Sequence, residues 1–84
     1  DKKVLDLYCY TGGFALHAAK AGAKMVLGID SSASAIAQAT KNAEFNNLTN
    51  VKFLEADVRD SLALAADYDI VILDPPKLAP SRKH

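Results

Sequence analysis

Four aspartates, Asp6, Asp30, Asp57 and Asp74, each lie in or just after one of four apolar runs, and that placement is the first chemical signal in this chain of 84 residues. An ionised carboxylate only accepts hydrogen bonds. A rim lined with such groups therefore suits paired hydroxyls, an ammonium, an exocyclic amine or a cationic centre. It suits a phosphate poorly, since phosphate prefers basic groups and bare backbone amides. Aspartates also cap helices and end strands for purely structural reasons, but four at corresponding positions argue for a site. His17 has no second His, Cys or acid at metal-ligand spacing, so no metal centre is expected from it.

The elements that must position these acids alternate along the chain. Lys3 to Leu7 reads as a short buried strand, followed after Gly12-Gly13 by helical spacing at Phe14, Ala15, Ala18, Ala19 and Ala21, with Gly22 as the stop. Met25 to Ile29 is a second strand ending at Asp30, and Ser31 or Ser32 can cap a second helix. Its inward stripe would be Ala35 or Ile36, Ala39 and Ala43, with an exit turn at Asn46-Asn47 and Asn50. Val51 to Glu55 makes a third strand. A short helix from about Asp60 to Ala66 should turn Val58, Leu62 and Ala65 to one side, and Tyr68 to Leu73 should form a fourth strand stopped by Pro75-Pro76.

This alternation predicts an α/β fold, a Rossmann-like parallel sheet in the order 3-2-1-4 with helical crossovers. The near-continuous apolar strands predict a sheet covered on both faces. In such folds ligands bind outside the carboxyl ends of the strands beside the first one, which is where the four acids fall. The run Ile70-Val71-Ile72-Leu73 would be an open edge, so self-association through it is expected.

Composition narrows the class. Half of the residues are hydrophobic and 24% are charged, with three prolines and four glycines, which excludes disorder, collagen-like repeats and low-complexity linkers. No apolar run approaches the roughly 20 residues that cross a bilayer, and no signal peptide is read at Asp1-Lys2-Lys3. Ten basic and ten acidic residues cancel, so a cationic groove for a nucleic-acid partner is expected mostly outside this chain. One cysteine fits a reducing, cytoplasmic setting. The lack of an initiating methionine is read as a piece of a longer protein.

The run Val4-Leu5-Asp6-Leu7-Tyr8-Cys9-Tyr10-Thr11-Gly12-Gly13-Phe14 resembles the first motif of class I S-adenosylmethionine-dependent methyltransferases. More narrowly, Tyr10-Thr11-Gly12-Gly13-Phe14 with Asp74-Pro75-Pro76-Lys77 is similar to the bacterial large-subunit rRNA cytosine-C5 methyltransferases, in which a PUA domain precedes the catalytic domain. The resemblance runs from Lys3 to Lys77. It implies a single partial S-adenosylmethionine-binding domain over residues 1–84. It implies that Asp6 helps hold the methionine ammonium, that Asp30 with neighbouring Ser31 takes the ribose hydroxyls, and that Asp57 and the backbone of Val58 meet adenine. Glu55 is the weaker acid, since strand alternation can turn it away. Tyr8, Gly12, Gly13 and Phe14 belong to the implied cofactor loop, and Asp74 and Lys77 to the substrate side, facing an RNA.

The departures carry information. Tyr8 and Tyr10 stand where the broader family places glycines, so only Gly12 and Gly13 give close backbone approach. Lys77 replaces the aromatic that amine-methylating enzymes carry after the second proline, which disfavours a base amino group as target without removing it. Cytosine-C5 chemistry needs a thiolate, yet Cys9 lies in the cofactor loop, and the family's nucleophile is expected downstream of this chain. Arg82, Lys83 and His84 read as a solvated basic tail. A nicotinamide oxidoreductase is the alternative from the dinucleotide-like spacing of Gly12 and Asp30, against which G-x-G-x-x-G is absent. A non-catalytic folding or binding module is the other.

Overall fold

The structure, a computed structural model, describes residues 1–75. Its strands are β1 (Lys3–Leu7), β2 (Met25–Asp30), β3 (Val51–Glu55) and β4 (Ile70–Leu73), and its helices are α1 (Gly13–Lys20), α2 (Ala33–Phe45) and α3 (Val58–Ser61), the last running into a 3₁₀ turn at Leu62–Asp67. All pairings are parallel, in the order β3-β2-β1-β4. This is the order that the alternation of elements predicts, a Rossmann-like partial sheet.

The two faces of the sheet are covered by different helices because side chains alternate along each strand. Val4, Val26 and Val51 pack with Ala15 and Ala19 of α1 and Ala43 of α2. Leu5, Leu7 and Ile29 pack on the opposite face with Val58 of α3. The inward stripe of α2 is Ala35, Ala39 and Ala43, small residues that let the helix lie close to the strands. Ser32 caps it, its Oγ accepting from Ala35 N at 3.2 Å.

Both long helices end in the same device. Gly22 after α1 and Asn47 after α2 are left-handed (φ 97 and 57), and paired backbone bonds close each end. Gly22 N donates to Ala19 O and Ala23 N to Ala18 O, while Asn47 N donates to Glu44 O and Leu48 N to Ala43 O. Asn50 then ties the turn after α1 to the start of β3, its Nδ2 donating to Ala19 O at 3.1 Å and Ala23 O at 2.8 Å.

Three expectations are corrected. The third helix starts at Val58 rather than near Asp60, because Asp57 caps it by accepting from Arg59 N. It tightens to 3₁₀ winding at Leu62, which breaks the i, i+4 phase and leaves Leu62 48% exposed. The fourth strand begins at Ile70, since Tyr68 N and Asp69 N are used by Ala65 O and Lys3 O in the approach to it. Nor is the sheet covered throughout: among the described residues β4 pairs with β1 alone, and its Ile70, Val71 and Leu73 are exposed.

Candidate functional site

The loop leaving β1 is built by its neighbours. Tyr8 and Tyr10 hold left-handed φ values of 65 and 52, and Gly12 one of 88. For the tyrosines this conformation costs on the order of 1 kcal/mol each. Four contacts hold it in place: Cys9 N donates to Ile29 O, Tyr10 N to Asp30 Oδ2, Gly12 N to Cys9 O and Asn42 Nδ2 to Thr11 O. Beneath the loop lies the ring of Phe53. A Cβ on Gly12 would come within 2.9 Å of it, and one on Gly28, its register neighbour, within 2.7 Å. A side chain at either place would force the ring to shift, and at Gly12 it would also be strained by the left-handed φ.

Above the strand ends this loop borders a cleft with two adjoining lobes. The larger, about 600 Å³, is lined by Tyr8, Tyr10, Asp30, Ser31, Ser32, Asp74 and Pro75. The smaller, about 330 Å³, is lined by Asp6, Cys9, Thr11, Gly13, Phe14 and Ile72, and shares Tyr8, Tyr10 and Asp74 with the first. Their sizes fall in the range of small-molecule and cofactor sites.

Asp30 ends β2 with both oxygens oriented. Oδ2 accepts from Tyr10 N and Oδ1 from Ser32 N, each at 3.0 Å. Each oxygen keeps a lone pair free for a donor entering the cleft. Asp6 is only 3% exposed. Burial first, then the charges of Asp74 and Asp30, push its carboxyl up to about 6, while the Ala15 amide pulls the other way. Cys9 is also buried, its Sγ–H donating to Tyr10 O at 3.7 Å. Burial and the nearby acids push its thiol up to about 12, so at neutral pH it is protonated and a poor nucleophile.

Of the residues singled out from sequence, Asp6, Tyr8, Gly13, Phe14, Asp30, Ser31 and Asp74 border the cleft. Gly12 shapes the loop from below. Asp57 and Val58 border neither lobe. Asp57 is engaged as the cap of α3 and by Arg59, whose Nη2 lies 2.9 Å from Oδ2 and whose hydrogen bonds hold the Asp57 carboxyl below the usual carboxylate range. Val58 is buried in the core. Lys77 lies outside the described residues. Sequence reasoning missed the position of Tyr10, 69% exposed and bordering both lobes. Its departure from glycine was the available signal. It also missed Ser32 as a wall of the larger lobe. Among the described residues no group of His, Cys, Asp and Glu is arranged to hold a metal ion, and no helix is long and apolar enough to cross a membrane.

An open parallel sheet with its cleft beside the end of β1 and an acid closing β2 defines a nucleotide-cofactor-binding α/β domain. Within that class, residues 1–82 match the model of the methyltransferase domain family, and the chain belongs to that family. It is 47% identical to the ribosomal RNA large subunit methyltransferase I of Aliivibrio fischeri (strain MJ11), a match that takes in 98% of this chain and 22% of that protein. Among solved structures, it resembles a SAM-dependent methyltransferase from Agrobacterium tumefaciens with 34% identity and a TM-score of 0.79, over 93% of this chain and 26% of that one. It also resembles SMU.776, crystallised in complex with SAH, with 33% identity and a TM-score of 0.81, over 98% and 23% of the two chains. The chain thus spans about a fifth of the length of the curated relatives it matches.

Proposed function

We propose that this chain is the cofactor-holding part of an S-adenosylmethionine-dependent methyltransferase that acts on large-subunit ribosomal RNA, in the cytoplasm, at C5 of a cytosine. The observation that carries the reading is Asp30: a carboxylate fixed by two backbone amides at the mouth of a lobe large enough for a nucleoside. A vicinal diol presents two donors to such a group, which is the demand made by a ribose. The rRNA substrate rests on the similarity to ribosomal RNA methyltransferases, and the C5 position separately on the resemblance of Tyr10-Thr11-Gly12-Gly13-Phe14 and Asp74-Pro75-Pro76-Lys77 to cytosine-C5 methyltransferases.

The residues present fit the cofactor. When bound, S-adenosylmethionine supplies an electrophilic methyl on a sulfonium. Asp30 and Ser31 orient the ribose, Asp6 and Asp74 attract the ammonium, and Gly13 and Thr11 offer backbone at the smaller lobe. Asp57 and the backbone of Val58, at the start of α3, would take adenine, for which Asp57 would give up part of its solvent-exposed pairing with Arg59 to accept from the exocyclic amine. Asp74 stands on the side that takes the RNA, and Lys77, outside the described residues, keeps the substrate-side role that the resemblance implies. The attacking thiol comes from outside this chain, since Cys9 is buried and protonated.

The test uses the intact protein. Calorimetric titration should give binding of S-adenosylhomocysteine and none of NAD, and Asp30→Ala should weaken the former by about 1.5–3 kcal/mol, the scale of lost charge-assisted hydrogen bonds. Methyl transfer from labelled S-adenosylmethionine to large-subunit rRNA, followed by nucleoside analysis, should give 5-methylcytidine. An N-methylated base would replace the C5 reading with the amino-group one. NAD affinity or no cofactor affinity would overturn the reading altogether.

A further inference from the structure

The cleft is unusual in the balance of its charges. Asp6, Asp30 and Asp74 border it, and among the described residues no Lys, Arg or His does. The one ion pair in those residues, Arg59 with Asp57, borders neither lobe. Asp6 is 3% exposed and has no cationic partner there. A buried carboxylate without a counter-charge is costly, and a cation arriving in the cleft relieves that cost. Tyr8 and Tyr10 border both lobes and add aromatic faces, which also attract cations.

We propose that Asp6 and Asp74 make this cleft selective for charge at sulfur, so that it holds the sulfonium cofactor more tightly than the neutral thioether left after methyl transfer. The inference rests on the cofactor reading above and adds the basis of discrimination between substrate and product. In the transfer the S–C bond breaks with its electron pair remaining on sulfur, and the methyl carbon bonds to an electron pair of the acceptor. The positive charge thus leaves sulfur with the methyl and is shed by the acceptor as a proton. Both ligands share the adenosine, the ammonium and the carboxylate; the sulfur is only four bonds from the ammonium nitrogen, so carboxylates that attract the ammonium also feel whether sulfur carries charge, and the ratio of the two affinities isolates that difference. The acid pair favours the ligand that enters and weakens its hold on the one that must leave.

The selectivity is pH-dependent. The groups facing Asp6 are Asp30 from β2, Asp74 beyond β4, the Ala15 amide from α1, and Tyr8, Cys9 and Tyr10 from the loop. Lys3 and Lys24 lie at the opposite end of the sheet, at the start of β1 and just before β2. Cys9 is neutral, with its thiol pushed up to about 12. Asp6, at about 6, is ionised at pH 8 and protonated at pH 5, so selectivity is full at pH 8 and falls as the pH drops.

Calorimetry on the intact protein with S-adenosylmethionine and S-adenosylhomocysteine at pH 8 and pH 5 tests this without reference to turnover. The sulfonium-to-thioether affinity ratio should fall about tenfold from pH 8 to pH 5, the low end of what one nearby opposite charge does. Asp6→Asn should give the low ratio already at pH 8. Asp74→Asn, at an exposed position where folding is not at stake, should lower the ratio in the same direction. Binding of both ligands with a ratio unmoved by pH and by Asp74→Asn overturns this inference alone. Binding of neither ligand overturns the cofactor reading and this inference together.

Discussion

Asp6→Asn should make the domain more stable at neutral pH while weakening its hold on the cofactor. Folding moves the Asp6 carboxyl from 3.8 up to about 6, because it is taken out of water beside Asp74 and Asp30. Roughly two pKa units at about 1.4 kcal/mol each mean that the anion costs the folded state on the order of 3 kcal/mol above pH 6. The direction follows from proton counting. Between 3.8 and about 6 the folded chain keeps a proton that the unfolded chain has released, so stability declines as the pH rises through that window. Asparagine has the same shape and no charge, but its amide protons must find acceptors, which takes back part of the gain. The expected stabilisation at pH 8 is therefore about 1–3 kcal/mol, narrowing by about half by pH 5 as the wild-type carboxyl takes up its proton. Equilibrium urea unfolding of both forms at pH 8, 6.5 and 5 measures the gap. A variant less stable than wild type at pH 8, or a gap that ignores pH, would refute the reasoning.

Gly28→Ala should destabilise by about 1–3 kcal/mol, since the new Cβ meets the Phe53 ring at 2.7 Å; pairing it with Phe53→Leu should recover part of the loss in a denaturation double-mutant cycle. Ser32→Ala removes the cap of α2 and should cost about 1 kcal/mol in the same assay. In the intact protein Cys9→Ser should keep most methyl transfer to rRNA, because the Cys9 thiol is protonated at working pH; loss of transfer with cofactor affinity intact would make Cys9 the nucleophile. Sedimentation of the isolated chain should reveal self-association through the exposed Ile70, Val71 and Leu73 of the β4 edge, and a stable monomer at high concentration would contradict this.

Strand order was legible because each strand is a short apolar run and each connection has helical length, which leaves few right-handed arrangements. The acids at the strand ends were legible for the same reason: register follows from where the runs stop. What could not be read were contacts between distant residues. Nothing in sequence puts the Phe53 ring under both Gly12 and Gly28, or the Tyr10 amide on Asp30. Asp57 exposes the limit most clearly, because one residue type serves as cap, ion-pair partner and ligand acceptor. Position alone does not tell that Arg59, two residues on, claims it. The open edge of β4 was legible from its place last in the order, but its apolar run argued for burial on both faces, and the exposure of Ile70, Val71 and Leu73 went against that.

Asn50 sits at the far end of the sheet from the cleft, and its grip on Ala19 O and Ala23 O sets an angular tolerance there. Helix α1 is a rod of eight residues, about 12 Å long at 1.5 Å per residue. Its tail is anchored at Asn50, and its head, Gly13 and Phe14, continues from the loop leaving β1 and borders the smaller lobe. A tilt of about 5° at the tail moves the head by about 1 Å, a misplacement of the size that can cost a reaction about a hundredfold. The amide of Asn50 therefore works as one clamp of a lever whose other end is the loop at the cleft, so loosening it would widen the play in that alignment while leaving every residue that borders the cleft unchanged.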